Sequence, residues 1–220
     1  MATPMSSAPS WTPKLVRLWP TLISRARLAA HERHNPGLIA LAERLDSDTA
    51  QITSRYQALD VLAMDHDEVR WLRAGIDQVI DRYLRGVGVD YGVRWDVRGW
   101  ANINRRGDYH SPHNHGWSYL SGTYYVRVPE QPPAQASPPG EAGTRDAAAI
   151  SFYDPRGAVN MLACDGEILS QHEFRVRPSA GTLLLWNSFL NHSVHPNMAE
   201  ITRVSISFNV ALRWTEELTS

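Results

Sequence analysis

Cysteine occurs once in this 220-residue chain, at Cys164, and lysine once, at Lys14. A lone cysteine excludes an intrachain disulfide and is compatible with a reducing compartment, so the cytoplasm is the expected location. Arginine carries nearly all the positive charge, and 22 basic residues against 23 acidic ones leave a net charge of −1. That balance offers no footprint for nucleic acid or for an anionic membrane surface. No segment approaches the roughly 18 consecutive apolar residues of a membrane span. The opening MATPMSSAPSWTPK lacks the basic region and apolar run of a secretory signal, so a soluble protein is expected.

What the chain does contain is unevenly distributed. Residues 1–14 are small, polar and proline-rich, which predicts a disordered lead-in to a single domain over 15–220. At this length folding buries about 70% of the unfolded surface, enough to wall a sizeable cavity. The helical part is expected over about 35–86. Asn35-Pro36 reads as an N-cap followed by proline at the first helical position, ahead of Leu38, Leu41, Ala42 and Leu45. Val69, Leu72, Ile76, Val79, Ile80 and Tyr83 mark one stripe of a longer helix that begins at Asp67 and ends at Gly86.

Beyond Gly86 the pattern changes. Tyr91 to Asn104, Tyr119 to Val128, Ile150 to Tyr153, Glu173 to Arg177, Thr182 to Trp186 and Ile201 to Leu212 are short, aromatic or β-branched, and bounded by turn residues. About eight short strands over 91–212 are expected, a mainly β sandwich or jelly roll buttressed by the N-terminal α-helices. Residues 129–148 interrupt it with prolines, alanines and glycines, predicting a flexible surface loop beside the strand that carries Tyr125, placed to close over a substrate.

Within this β half, His113 and His115 lie two apart, so on a strand both side chains leave the same face, as two ligands of one ion must. An H-x-H alone is equally a polar loop, and a third ligand is needed. His31, His34, His66 and His172 lie at helix starts or in polar stretches and read as solvated surface residues. His192 instead follows the apolar run LLLWNSFLN, and the chain returns from it as ITRVSISFNV with strict alternation. Arg203 and Ser205 share one face of that strand, with Val204, Ile206 and Phe208 on the other. A turn around Pro196-Asn197 brings Arg203 level with His192, either as a hairpin or across a sandwich. The arginine then either pairs at the surface with Glu200 or Asp90, or stands beside the histidines as part of a carboxylate pocket. Trp100, Asn102 and Asn104 alternate on the preceding strand and share a face, suggesting an aromatic and amide wall, with Trp186 a further pocket candidate. Tyr125 shares a face with Thr123 and Ser121, and Tyr124 takes its place if the register shifts by one.

The order H-x-H…H…R-x-S resembles the iron(II)/2-oxoglutarate-dependent oxygenases. More closely, GWANINRRGDYHSPHNHG, LSGTYYV, FYDPR, PSAGTLLLWNSFLNHSVHPN and RVSISFNV resemble a bacterial and phage group of these enzymes whose signature runs from a W-x-N strand through H-x-H and SGxYYV to RxSxxFN. The likeness covers about residues 95–210, and the eleven-residue step from His192 to Arg203 matches the position of the superfamily's co-substrate arginine.

The resemblance implies a double-stranded β-helix, a jelly-roll or cupin-like fold, holding iron through His113, His115 and His192. It further implies 2-oxoglutarate and dioxygen as co-substrates. Arg203 and Ser205 would bind the distal carboxylate of 2-oxoglutarate, with Tyr125 and Asn102 beside them, and the reaction would hydroxylate a C–H bond of a small molecule or an amino-acid-like side chain, releasing succinate and CO2. One departure stands out: the superfamily usually carries an acid where this chain has His115, so the protein supplies three neutral imidazoles instead of two and a carboxylate. Either His115 is a ligand, or the third position belongs to water or to an acid such as Asp108. Other classes compete: a three-histidine cupin that uses no 2-oxoglutarate, a catalytic zinc site, and a metal-binding jelly-roll module without chemistry.

Overall fold

In the computed structural model, which describes residues 19–48, 59–130, 148–156 and 171–214, two antiparallel sheets face each other and two helices cover the outside of the larger one. Strand β1 is Ile23–Arg27, helix α1 is His31–Asp48, and helix α2 is Asp67–Gly86. The remaining strands are β2 (Val93–Asn104), β3 (His110–His113), β4 (Leu120–Arg127), β5 (Ile150–Tyr153), β6 (Glu173–Val176), β7 (Thr182–Asn187), β8 (His192–Val194) and β9 (Arg203–Trp214). The five-stranded sheet runs β1-β7-β4-β9-β2 and the four-stranded sheet β3-β8-β5-β6. This is the jelly roll the patterning predicts, with two α-helices in the expected N-terminal part. The expected lead-in over 1–14, most of the 129–148 loop and Cys164 lie outside the described residues.

Period-two alternation divides the core in two. From the large sheet Leu120, Tyr124, Val126, Leu183, Leu185 and the β9 set Val204, Ile206, Phe208 and Val210 point outward to the helices. They meet Leu38, Leu41, Leu72, Ile76 and Ile80, which are all but inaccessible to solvent. Each such side chain contributes about 1.5–3 kcal/mol on burial. The opposite face turns inward, where Tyr125, Leu184 and Trp186 pack on Ile150, Phe152, Val176 and Leu190 of the facing layer. Beyond this second cluster the inward positions turn polar, and the cavity lies there. At Gly122 a Cβ would meet the Phe208 ring at 2.3 Å and the Leu184 carbonyl at 2.7 Å, so the absence of a side chain is what lets the helix-facing layer close over β4.

Helix α2 occupies the residues its stripe predicts. Helix α1 starts four residues before the expected Asn35 cap, and Pro36 lies inside it. Proline near a helix start removes only one backbone bond, and Asn35 is engaged elsewhere: its Nδ2 donates to the Val126 carbonyl at 2.7 Å, while Tyr124 Oη donates to its Oδ1 at 2.6 Å. His31, expected in solvent, is 5% exposed and accepts from Arg27 Nε at 2.9 Å. Its ring fills the space beside Gly181, whose φ of +85° and missing Cβ admit it. His34 stacks on Trp71 with centroids 4.3 Å apart and His66 contacts Glu68 at 2.7 Å, both half-buried, whereas His172 is exposed. Strands β1, β3 and β8 escape the sequence pattern; the last two are only four and three residues long and carry histidine and serine with a single β-branched residue, Val194.

Candidate metal and anion site

Strands β3 and β8 pair antiparallel with His113 directly opposite His192. The ring centroids of the pair are 4.4 Å apart, and His115, two residues beyond β3, lies 5.2 Å from each of them. One ligand nitrogen from each of the three falls within 4.8 Å of the others, a spacing that a single ion can bridge. Two rings are already set for coordination. His192 Nδ1 sits 3.0 Å from the Leu190 carbonyl and His113 Nδ1 sits 2.7 Å from the Ser111 carbonyl. A carbonyl only accepts, so Nδ1 donates in both rings and Nε2 is the nitrogen left for a metal. Burial pushes the His192 pKa down to about 3 and that of His115 down to about 4, so both are neutral and available to a metal near pH 7.

Arg203, first residue of β9, comes in from the opposite sheet. Strands β8 and β9 belong to different layers, so arginine and histidines meet across the sandwich and not along a hairpin. The guanidinium is 1% exposed; Nη2 donates to Asn104 Oδ1 at 2.9 Å, and Nε and Nη1 have no partner. The surface pairing with Glu200 or Asp90 fails, because Arg203 is buried and Glu200 pairs with Arg106. Burial lowers the Arg203 pKa, partly offset by Tyr125 and Asp108. Tyr125 is itself buried beside the arginine, with its phenol pushed up to about 12, so it remains a neutral hydroxyl.

These groups line one cavity of about 450 Å³, walled by Trp100, Asn102, Tyr125, Arg203 and Ser205 on the large sheet and by the three histidines on the small one. Its described lining holds no carboxylate. A buried cation with unpaired donors, facing three imidazoles with no acid in the described lining, could receive an anion that also reaches a metal held by the histidines. The donor set therefore suits a divalent metal plus a carboxylate-bearing co-ligand.

The remaining candidates fall in different places. Asn102 Nδ2 contacts Ser205 Oγ at 3.4 Å and Ser207 Oγ at 2.9 Å, while its Oδ1 has no partner. Trp100 flanks the metal site, its ring 5.8 Å from that of His115. Tyr124 faces the helices, which leaves Tyr125 as the cavity tyrosine. Trp186 does not line the cavity. It is buried in the inter-sheet core behind His192, with centroids 4.9 Å apart, and so backs that ring instead of facing the cavity. Asp108 is exposed, its carboxylate accepting the Arg105 N–H at 2.8 Å, and it is not among the grouped ligands.

His110 also lines the cavity and had no sequence signal as a site residue. Three positions from His113, it would face the opposite way on a regular strand. The register of β3 shifts between the two, and both rings reach the same cavity.

Comparison with known proteins bears on this geometry. Residues 98–209 match the family described as "Putative 2OG-Fe(II) oxygenase". A prolyl-4-hydroxylase from Pseudomonas putida has a similar fold, with a TM-score of 0.59 and 18% identity over 88% of this chain and 89% of that one. So does HygX from Streptomyces hygroscopicus, solved with nickel and 2-oxoglutarate bound, with a TM-score of 0.54 and 14% identity over 87% of this chain and 82% of that one. The non-heme alpha ketoglutarate dependent epimerase SnoN from nogalamycin biosynthesis aligns with a TM-score of 0.55 and 16% identity over 86% of this chain and 77% of that one. No curated protein matches the chain in sequence.

Proposed function

This chain belongs to the 2OG-Fe(II) oxygenase family, and from that premise we propose that it is a non-haem oxygenase in which His113, His115 and His192 hold Fe(II) and Arg203 anchors the distal carboxylate of 2-oxoglutarate. The observation that carries the reading is the buried guanidinium with two unpartnered nitrogens in the cavity that the three histidines share. A three-histidine metal site that used no anionic co-substrate would leave that charge buried without compensation, at a cost of several kcal/mol.

When bound, iron and 2-oxoglutarate supply the oxidising chemistry, in which dioxygen is consumed, 2-oxoglutarate becomes succinate and CO2, and a substrate C–H bond is oxidised. The protein's part is placement. Arg203 and the Ser205 hydroxyl take the carboxylate, and Tyr125 adds a phenol that stays neutral. Asn102 serves the same subsite indirectly, through the Ser205 hydroxyl. The carbonyls of Ser111 and Leu190 hold two imidazoles in the coordinating tautomer. The Trp186 and Phe152 rings pack against His192 and keep water from its back face. Trp100 forms the wall next to His115, where a small molecule or an amino-acid-like side chain enters. That substrate class is in keeping with the similar fold of a prolyl-4-hydroxylase.

Anaerobic titration of Fe(II) and 2-oxoglutarate into metal-free protein tests the proposal through the visible charge-transfer absorption of chelated 2-oxoglutarate. The band is expected in wild type and absent in Arg203→Ala. Its loss in His115→Ala identifies the third imidazole as a ligand, and its survival removes His115 from the set. A wild type without the band ends the 2-oxoglutarate reading.

A further inference from the structure

Asn104 stands between Arg203 and His110 and has only one way to satisfy both. Arg203 Nη2 lies 2.9 Å from Asn104 Oδ1, and Asn104 Nδ2 lies 3.2 Å from His110 Nε2. A guanidinium only donates, so the amide must turn its oxygen to Arg203. Its NH2 then faces the imidazole and can only donate in turn. His110 Nε2 must accept, which places the ring proton on Nδ1 and excludes the imidazolium, whose Nε2–H would oppose the amide N–H. Asn104 is 2% exposed, and Asn197 Nδ2 holds its backbone carbonyl at 3.0 Å, so the backbone that carries the amide is fixed as well.

We propose that His110 is a positioning residue for the anionic end of the co-substrate, acting through Asn104 on Arg203. The inference rests on the reading of Arg203 as the carboxylate anchor. By locking the Asn104 amide, His110 commits Nη2 of the guanidinium to the protein and fixes the guanidinium plane before the ligand arrives, with Nε and Nη1 left without protein partners. Preorganisation of this kind strengthens binding by removing the cost of orienting the group when the ligand arrives. Its signature is selective: it affects a ligand that reaches Arg203 and leaves alone one that only chelates the metal.

The test uses the full chain loaded with Zn(II), which does not react with dioxygen, and calorimetric titration of 2-oxoglutarate and of 2-oxobutanoate, the same chelating 2-oxo acid without the distal carboxylate. His110→Phe is expected to weaken 2-oxoglutarate about tenfold, the scale of one lost hydrogen bond, and to leave 2-oxobutanoate unchanged. His110→Gln, whose side-chain oxygen falls near the Nε2 position, restores binding, while His110→Asn, whose oxygen falls near Nδ1, does not. In wild type, ¹⁵N-histidine NMR is expected to report the Nδ1–H tautomer for His110 without any ligand. Equal binding of 2-oxoglutarate by wild type and His110→Phe overturns the proposal, as does an equal loss for both acids or an Nε2–H tautomer. A wild type that binds no 2-oxoglutarate defeats the assignment of Arg203 itself, and the role of His110 with it.

Discussion

Replacing Arg203 with methionine separates what the guanidinium contributes to binding from what it costs the fold. The side chain is 1% exposed, and Nε and Nη1 lack partners. A buried donor left unsatisfied costs about 1–3 kcal/mol, so the two nitrogens together destabilise the protein by roughly 2–6 kcal/mol in the absence of an anion. Methionine keeps most of the aliphatic packing but deprives Asn104 Oδ1 of its donor, which returns about 1–2 kcal/mol of that gain. The variant should therefore be more stable by up to about 5 kcal/mol, in line with apolar replacement of buried charges elsewhere. For a chain of this size that raises the melting temperature by up to roughly 20 °C. Added 2-oxoglutarate narrows the gap. At about 100 times its dissociation constant it stabilises a binding-competent protein by about 2.7 kcal/mol, a gain open to wild type and closed to the variant. Thermal unfolding of both proteins with Zn(II), with and without 2-oxoglutarate, reads the difference. An Arg203→Met protein that melts below wild type without 2-oxoglutarate would refute the argument, because the guanidinium would then be satisfied in the resting fold. Equal stabilisation of both by the ligand would remove Arg203 from carboxylate recognition.

Two further expectations concern stability. In the metal-free protein His192 titrates at about 3 and His110 and His115 at about 4, whereas an unfolded histidine titrates at about 6.5. Between these values the unfolded chain binds up to three protons that the native state refuses. Stability is thus full above about pH 6.5 and falls on acidification towards pH 4, by up to about 4 kcal/mol per pH unit; a urea midpoint that stayed constant from pH 7 to pH 5 would contradict neutral burial of these rings. Gly181→Ala should cost roughly 2–5 kcal/mol, because alanine meets both the left-handed backbone penalty and an overpacked contact with His31 at 1.8 Å. Chemical denaturation measures the loss, and a change below about 1 kcal/mol would mean that His31 can swing away.

Most of the fold was legible because alternation and helical periodicity are local properties. Helix α2 could be bounded at both ends from its stripe and Gly86, and β9 from the run Val204, Ile206, Phe208 and Val210. Helix α1 was misplaced because Asn35-Pro36 has the form of a cap, while the Asn35 side chain in fact ties the helix to β4 through Tyr124 and Val126. Strands β3 and β8 were not legible as strands, since they are short and mostly polar and only their pairing with each other and with β5 makes them part of a sheet. Trp186 looked like a pocket residue because a strand face does not reveal what stands opposite, and Phe152 stands there.

By itself the sequence determined the residue types of the site, the H-x-H phase of His113 and His115, and the phase of Arg203 with Ser205, because side-chain direction along a strand depends only on parity. Only the tertiary structure decided that β8 and β9 lie in opposite sheets, so that Arg203 faces the histidines from across the sandwich, and that Asp108 stays outside. The bulge in β3 also brings His110 into the cavity, against parity. Those outcomes depend on which strands pair and in what register, a choice made by packing between distant segments that no local window contains.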